Sequence, residues 1–294
     1  MIREFYLQNA NGQILNLNDF DFEFLHSVKG LGFSKNLKVK QVGSHFEVVK
    51  VEQDMQTITG SVHFTAPNAY SKYFDFVQFC AVSPLVLIYN PEKFTQSGAG
   101  LVAGYRRDCI LTKADKSGYT HGFGEMSVPV EFTCLSPWYK NIFVQTTPQA
   151  VSGTKAYSDT EYAFPITFSS SKKNTVEVIS DSRLETGSPC RLRIFGPITN
   201  PSWTLYVNNI SKITGSVTAT IPAENYVEID TINGRSIKQY NGNGQLVRDL
   251  YQWADFNTIR FITLGQGKNR VTVRSQNGED VVLNMEAHIE YDSV

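Results

Sequence analysis

The chain has 294 residues, 41% of them hydrophobic and 19% charged, with a formal net charge of −1. That length suits two ordinary domains, and that hydrophobic share supports packed cores rather than a disordered chain. A near-neutral balance without any Lys/Arg run excludes a whole-protein attraction to nucleic acid or to an anionic membrane. Arg106-Arg107 is the densest basic pair and reads as two solvated side chains beside a strand. No window approaches the ~18 consecutive apolar residues of a membrane helix, and MIREFYLQNANG lacks the apolar centre of a signal peptide. Cys80, Cys109, Cys134 and Cys190 are far apart, with no C-x-x-C spacing. They read as buried thiols of a protein made in a reducing cytoplasm, not as a disulfide framework or a zinc site.

The first residues read as a hairpin. Phe5 to Leu7 precede Asn9-Ala10-Asn11-Gly12, whose Asn-Gly pair suits a tight turn, and Ile14, Leu15 and Leu17 follow. Phe22 and Phe24 alternate with Asp21 and Glu23, the period of a half-buried strand. Gly30-Leu31-Gly32-Phe33 comes next. Leu37, Val39 and Gln41 then alternate with Lys38 and Lys40, and Phe46 to Val51 follow Gly43-Ser44. Thr57 to Phe64 is a further strand. One helix is expected, capped by Asn68 and ended by Ser83-Pro84. Tyr70, Phe74, Val77 and Ala81 form its packing stripe, widened by Tyr73 and Phe76. Strands resume at 85–89, 105–112 and 127–135, with a polar turn region from Lys113 to Glu125.

After Ser136-Pro137-Trp138-Tyr139 the texture changes, and residues 146–160 are rich in Thr, Ser, Gln and Gly. The domain boundary is placed there, giving 1–145 and 146–294. The second part is all strands, expected at 164–168, 174–179, 191–195, 204–207, 216–221, 226–230, 236–240, 261–264, 269–274 and 281–289. Asn233-Gly234 and Asn277-Gly278 mark hairpin turns, and 249–256 holds a short helical turn. Short strands at this spacing suggest a β-sandwich.

The ordered set of these elements resembles the distal tail proteins of siphophages. At the N-terminal end the resemblance rests on the opening hairpin, the Phe-rich strand, Gly30-Leu31-Gly32-Phe33, the aromatic helix and Glu131-Phe132-Thr133-Cys134-Leu135-Ser136-Pro137-Trp138-Tyr139. Further on it rests on Phe195-Gly196-Pro197-Ile198-Thr199-Asn200-Pro201-Ser202-Trp203, Glu228-Ile229-Asp230-Thr231 and Leu264-Gly265-Gln266-Gly267-Lys268-Asn269. The resemblance implies a mostly β fold: an N-terminal β-sandwich-like, ring-forming domain with one α-helix, then a C-terminal galectin-like β-sandwich. It implies a structural role in a phage or prophage, as a baseplate hub at the tail tip of the virion, assembled in the host cytoplasm. Its partners would be itself, in a homo-hexameric ring that can stack, the tail tube protein, and a tail-associated lysin or fibre protein. Nucleic acid and membrane are not among them. It supplies no catalytic residue, metal or cofactor. A ring needs head-to-tail surfaces. The hairpin from Phe5 to Leu17 and the loop from Lys113 to Glu125 are candidates for crossing to a neighbour, with an ordinary intramolecular hairpin as the alternative for each.

The search for chemistry returns little. His45 and His63, with Glu47, could meet across a sheet but lack metal-site spacing. His121 and Glu125 are the one acid–base pair that can be nominated, and no G-x-S-x-G nucleophile motif accompanies them. Gly98-Ala99-Gly100 and Gly265-Gln266-Gly267-Lys268 lack phosphate-loop spacing and read as turns. No enzymatic activity is expected. The rival function is recognition of host cell-wall glycans, which needs an aromatic platform beside polar groups. Trp203 with Tyr206, or Tyr251 and Trp253 with Arg248 and Asp249, could supply it. Trp203 reads better as a core anchor, so Trp253, Tyr251 and Arg248 are the glycan-binding candidates.

Overall fold

The computed structural model describes residues 3–20, 23–32, 36–52, 56–91, 104–116, 118–120, 124–146, 174–258, 260–276 and 281–294. Phe22, Phe33, Gly98 to Gly100, His121, the expected strand at 164–168 and the Asn277-Gly278 turn lie outside them. The chain divides into two units, Met1–Lys140 with Glu290–Val294, and Asn141–Ile289.

The first unit contains β1 (Glu4–Gln8), β2 (Ile14–Asn16), β3 (Asn18–Asp19), β4 (Glu23–Lys29), β5 (Asn36–Val42), β6 (His45–Glu52), β7 (Thr57–Phe64), α1 (Ala69–Ala81), β8 (Leu85–Asn90), β9 (Tyr105–Ala114), β10 (Gly118–Thr120) and β11 (Glu125–Cys134). β12 (Trp138–Gln145) starts in it. The antiparallel ladder runs β1–β8–β9–β11–β7–β4–β3. Its ends meet: Leu17 donates its backbone N–H to Phe5 O at 3.0 Å, and Leu25 donates to Leu17 O at 2.9 Å. The Asn18 side chain accepts from Phe5 N at 2.7 Å and donates to Phe5 O at 2.8 Å, standing in for a strand partner. Closing the sheet in this way hides edges that would otherwise pair with other chains.

Alternation sets what lies inside. β11 buries Met126, Val128, Val130, Phe132 and Cys134, every second residue. Those side chains join Phe64, Leu85, Leu87 and Trp138 in one core with Tyr73, Phe76 and Cys80 of α1. Phe64 meets Tyr73 and Phe76 edge-on, the preferred geometry for rings. The helix is thus rotated from the expected stripe. Ala69, Tyr73, Phe76 and Cys80 are its buried residues, whereas Tyr70 and Phe74 are exposed. Two aromatic rows run along this helix, and the row that packs with Phe64 and its core neighbours is the one turned inward. Asn68 stands at the N-cap position in the left-handed region (φ 65°) without a side-chain cap bond. Its carbonyl instead accepts from Ser71 and Lys72.

Two further expectations are corrected. Arg107 is not solvated: it is buried, donates to Gln56 Oε1 at 2.7 Å and to Ser136 O at 2.9 Å, and lies over the Trp138 ring. The β1–β2 hairpin is not an arm. Leu7 and Leu17 are fully buried, and β1 pairs β8 on its other edge. Its turn is also wider than Asn-Gly. Asn9 Oδ1 accepts from Asn11 N and Gln13 N, and Gly12 carries the positive φ of 78°.

The second unit contains β13 (Thr175–Ser180), β14 (Ser188–Phe195), β15 (Ile198–Thr199), β16 (Ser202–Val207), β17 (Ile210–Ser216), β18 (Thr220–Ile221), β19 (Asn225–Asp230), β20 (Ser236–Asn241), β21 (Leu246–Asp249), β22 (Thr263–Leu264), β23 (Gly267–Arg274) and most of β24 (Leu283–Tyr291). One sheet runs β13–β23–β16–β17, the other β21–β20–β19–β14–β24. Each buries alternate residues: Trp203 and Leu205, Val271 and Val273 in one; Leu192 and Ile194, Met285 and Ala287 in the other. This is the arrangement of two packed sheets. The mostly β fold class with one helix is borne out. The strand expected at 216–221 is split: its end is β18, Thr220–Ile221, and before it β17 runs over Ile210–Ser216, where Gly215 pairs with Trp203.

Trp203 is the anchor of this core, fully buried, with its indole N–H donated to Arg260 O at 2.8 Å. Gly215 makes room for it: a Cβ there would lie 2.5 Å from the Trp203 ring. Gly215→Ala is therefore expected to cost about 2 kcal/mol by overpacking, read as a lower midpoint in urea unfolding. A loss under about 0.5 kcal/mol, the size of an ordinary surface change, would show that the indole has room to move.

Candidate functional site

Two surfaces stand out once the cores are accounted for. The first is the β5–β6 ribbon, a two-stranded sheet of its own turned at Gly43, whose φ of 64° suits a glycine. Register places Val39 opposite Val48 and Gln41 opposite Phe46. Lys40 opposite Glu47 and Lys38 opposite Lys50 then fall on the other face. One face is apolar and the other charged. Yet Leu37, Val39, Phe46 and Val48 are all exposed, Phe46 at 69%. A lone hairpin is marginally stable in water, and a bare apolar face on it is a contact surface. The alternation was visible in the sequence; that the apolar face is exposed among the described residues was not.

The second surface is a cleft of about 510 Å³ in the second unit, lined by Arg235, Ser236, Asp249, Tyr251 and Gln252. A short 3-10 turn, Tyr251–Trp253, forms one side. Asp249 Oδ1 accepts from Tyr251 N at 2.8 Å and so fixes the start of that turn. The Tyr251 ring stacks on Phe261 (6.1 Å, 20°) and meets Phe256 edge-on (5.5 Å). The Arg260 guanidinium lies over both Tyr251 and Phe256. Of the glycan-binding candidates, Tyr251 lines the cleft, while Trp253 and Arg248 are not among its lining residues. Arg248 lies over the Trp253 ring at 5.6 Å and donates to Gln239 Oε1 at 2.8 Å. Trp203 is in the core, as its position at a strand start implied.

The remaining chemistry is structural. His63 Nε2 lies 3.5 Å from Glu125 Oε2, across β7 and β11, and its ring lies tilted beside Phe24 at 5.0 Å; His45 sits in the β5–β6 ribbon, on a different sheet. Among the described residues no group of three His, Cys, Asp or Glu is placed to hold a metal, and no helix is long and apolar enough to cross a membrane. All four cysteines are buried and none is in a disulfide. Burial pushes the Cys80 and Cys190 thiols up to about 12, and raises Cys109 and Cys134 as well, which suppresses the thiolate needed for reactivity.

The outer face of the β19–β14–β24 sheet carries an ionic row. Arg191 lies directly opposite Asp230 on one side and Glu286 on the other, with N–O distances of 3.0 Å to each. Arg193 donates to Glu228 at 2.8 Å. Glu228 and Asp230 are buried carboxylates, tolerable because a guanidinium compensates each.

Comparison with known proteins fits this architecture. Residues 4–135 match the distal tail protein N-terminal domain. Over its whole length the chain has the fold of a chain of the phage P2 baseplate in its activated conformation with calcium. The two are 13% identical, each covered in full, with a TM-score of 0.62. The crystal structure of SPP1 Dit, described as a paradigm of hub adsorption apparatus in Gram-positive infecting phages, superposes with a TM-score of 0.58 at 10% identity, over 96% of this chain and 98% of that one. No curated protein matches the sequence. The chain therefore shares its fold with these phage tail proteins, and residues 4–135 form a segment of the distal tail protein N-terminal domain family.

The ionic row makes a demand on pH. The imidazole of His288 at Oε1, together with the neighbouring Arg191 and Asn141, holds the Glu286 carboxyl down at about 2, against an ordinary 4.5. A depressed carboxyl adds stability that is complete above the unfolded value and is lost as pH falls through the folded one. Glu286→Gln should thus be less stable than the parent at pH 7. The gap should narrow below about pH 4.5 and close near pH 2, as thermal melts across that range would show. A gap independent of pH would mean the carboxylate's charge contributes nothing.

Proposed function

We propose that the chain is a baseplate hub subunit that closes head to tail into a hexameric ring, joining the tail tube to the tail-associated lysin or fibre protein at the virion's tail tip after assembly in the host cytoplasm. The ring is assigned to the N-terminal domain, 1–145, and a galectin-like sandwich to 146–294. Family membership supports the class of function, a structural tail protein without catalytic chemistry. The single observation that carries the ring is the uncovered apolar face of the β5–β6 ribbon. An element whose apolar face is exposed among the described residues suits a heterologous contact with the next copy. Burying Leu37, Val39, Phe46 and Val48 against a neighbour would give each subunit one donor surface and one acceptor surface, and rotation then closes the set.

Light scattering behind a sizing column, over a concentration series and with negative-stain images, tests this. A mass near six subunits and an open ring are expected. Phe46→Ser with Val48→Ser, both on the apolar face, should shift the mass to the monomer and leave the melting temperature within about 2 °C, because exposed positions contribute little to the folded monomer. Lys38→Ser, on the charged face, should leave the ring intact. A parent protein that is monomeric at every concentration would overturn the self-closing ring.

A further inference from the structure

We propose that the cleft between β20, β21 and the Tyr251–Trp253 turn binds an uncharged saccharide. Its volume, about 510 Å³, falls within the range of small-ligand sites, about 300 to 1,000 Å³. Its lining holds one cation, one anion, a hydroxyl, an amide and one aromatic ring. Each group restricts what can enter. A phosphate or carboxylate ligand would meet Asp249 as well as Arg235. A purely apolar ligand would strip water from Arg235, Asp249, Ser236 and Gln252 and return no hydrogen bonds. A sugar ring suits all five. Its C–H face lies on the Tyr251 ring, and its hydroxyls donate to Asp249 and accept from Arg235.

The polar groups are free to do this. Asp249 Oδ1 caps the turn, and among the described residues its Oδ2 has no partner. Arg235 lies 5.9 Å over the Phe261 ring and makes no hydrogen bond or ion pair among the described residues. The aromatic surface is also held in place before any ligand arrives. Phe256, Phe261 and Arg260 pack around Tyr251, so little ordering entropy is lost on binding. Trp253 is two residues beyond Tyr251 in a 3-10 turn of three residues per turn, so its side chain leaves the turn in another direction. Arg248 is engaged by Gln239 and lies over Trp253. The saccharide site therefore centres on Tyr251, Arg235 and Asp249, with Trp253 and Arg248 outside it.

Saturation-transfer difference NMR on the intact chain tests the site, with lactose, maltotriose, cellotriose and triacetylchitotriose as probes and inorganic phosphate as competitor. Transfer from at least one sugar is expected, undiminished by phosphate. Tyr251→Ala and Arg235→Gln should each weaken that binding about tenfold, and Trp253→Ala by less than about twofold. Arg235 is exposed and makes no hydrogen bond or ion pair among the described residues, so its variant is expected to fold even where Tyr251→Ala does not. No transfer from any of the four sugars would overturn the proposal. So would displacement by phosphate, or binding that survives both substitutions. The light-scattering mass of Arg235→Gln, expected to equal the parent's, keeps failure of this site distinct from failure of the ring.

Discussion

A strand that buries every second side chain must have a second layer to bury them against. In the first unit that layer is α1. Tyr73, Phe76 and Cys80 face the alternate residues of β7 and β11 while the sheet curls until Leu17 and Asn18 bridge its ends. In the second unit the layer is another sheet, with Trp203 and Leu205 on one inner face and Leu192 and Ile194 on the other. The β5–β6 ribbon obeys the same alternation, with Leu37, Val39, Phe46 and Val48 on one face and Lys38, Lys40 and Val42 on the other. Among the described residues no second layer covers its apolar side. The same rule that explains both cores thus marks this ribbon as the element whose apolar side chains are left exposed.

How far the sequence discloses this varies with the range of the interaction. Local signals held. Period-2 patterns located most strands, and Ser83-Pro84 stopped the helix. Wherever a distant partner decides, the signal was absent. Tyr70 and Phe74 look as suitable for the core as Tyr73 and Phe76. The choice is made by packing: Tyr73 and Phe76 meet Phe64 in the core, a contact that helical spacing alone does not mark. Arg107 looks like a surface residue until Gln56 and Ser136 supply acceptors from elsewhere in the chain. The strand at Ile210–Ser216 is disguised by its polar residues, and Gly215 reads as a breaker. In the fold that glycine is what allows Trp203 to lie flat against its partner strand.

The ionic row shows the same limit for charge. Arg191, Asp230 and Glu286 are scattered in sequence, with no local pattern that links them. Register alone makes them direct neighbours, since Arg191 faces Asp230 across one ladder and Glu286 across the next. Satisfied in this way, they hold three strands in one register and have little left to offer a ligand. A row of charges on a sheet face is therefore better read as structure when its donors and acceptors match, and as a site when they do not.

That criterion separates the two candidate surfaces from the rest of the molecule. In the ionic row every guanidinium has a carboxylate within reach. In the cleft, Arg235 and one oxygen of Asp249 have none among the described residues, although both stand beside a braced aromatic ring. On the ribbon the unmatched quantity is apolar area. Unmatched area calls for a large complementary surface, such as another protein subunit; unmatched hydrogen-bonding groups around one ring call for a small polar ligand. The two surfaces lie on different residues in different units, so a substitution can alter either one and leave the other.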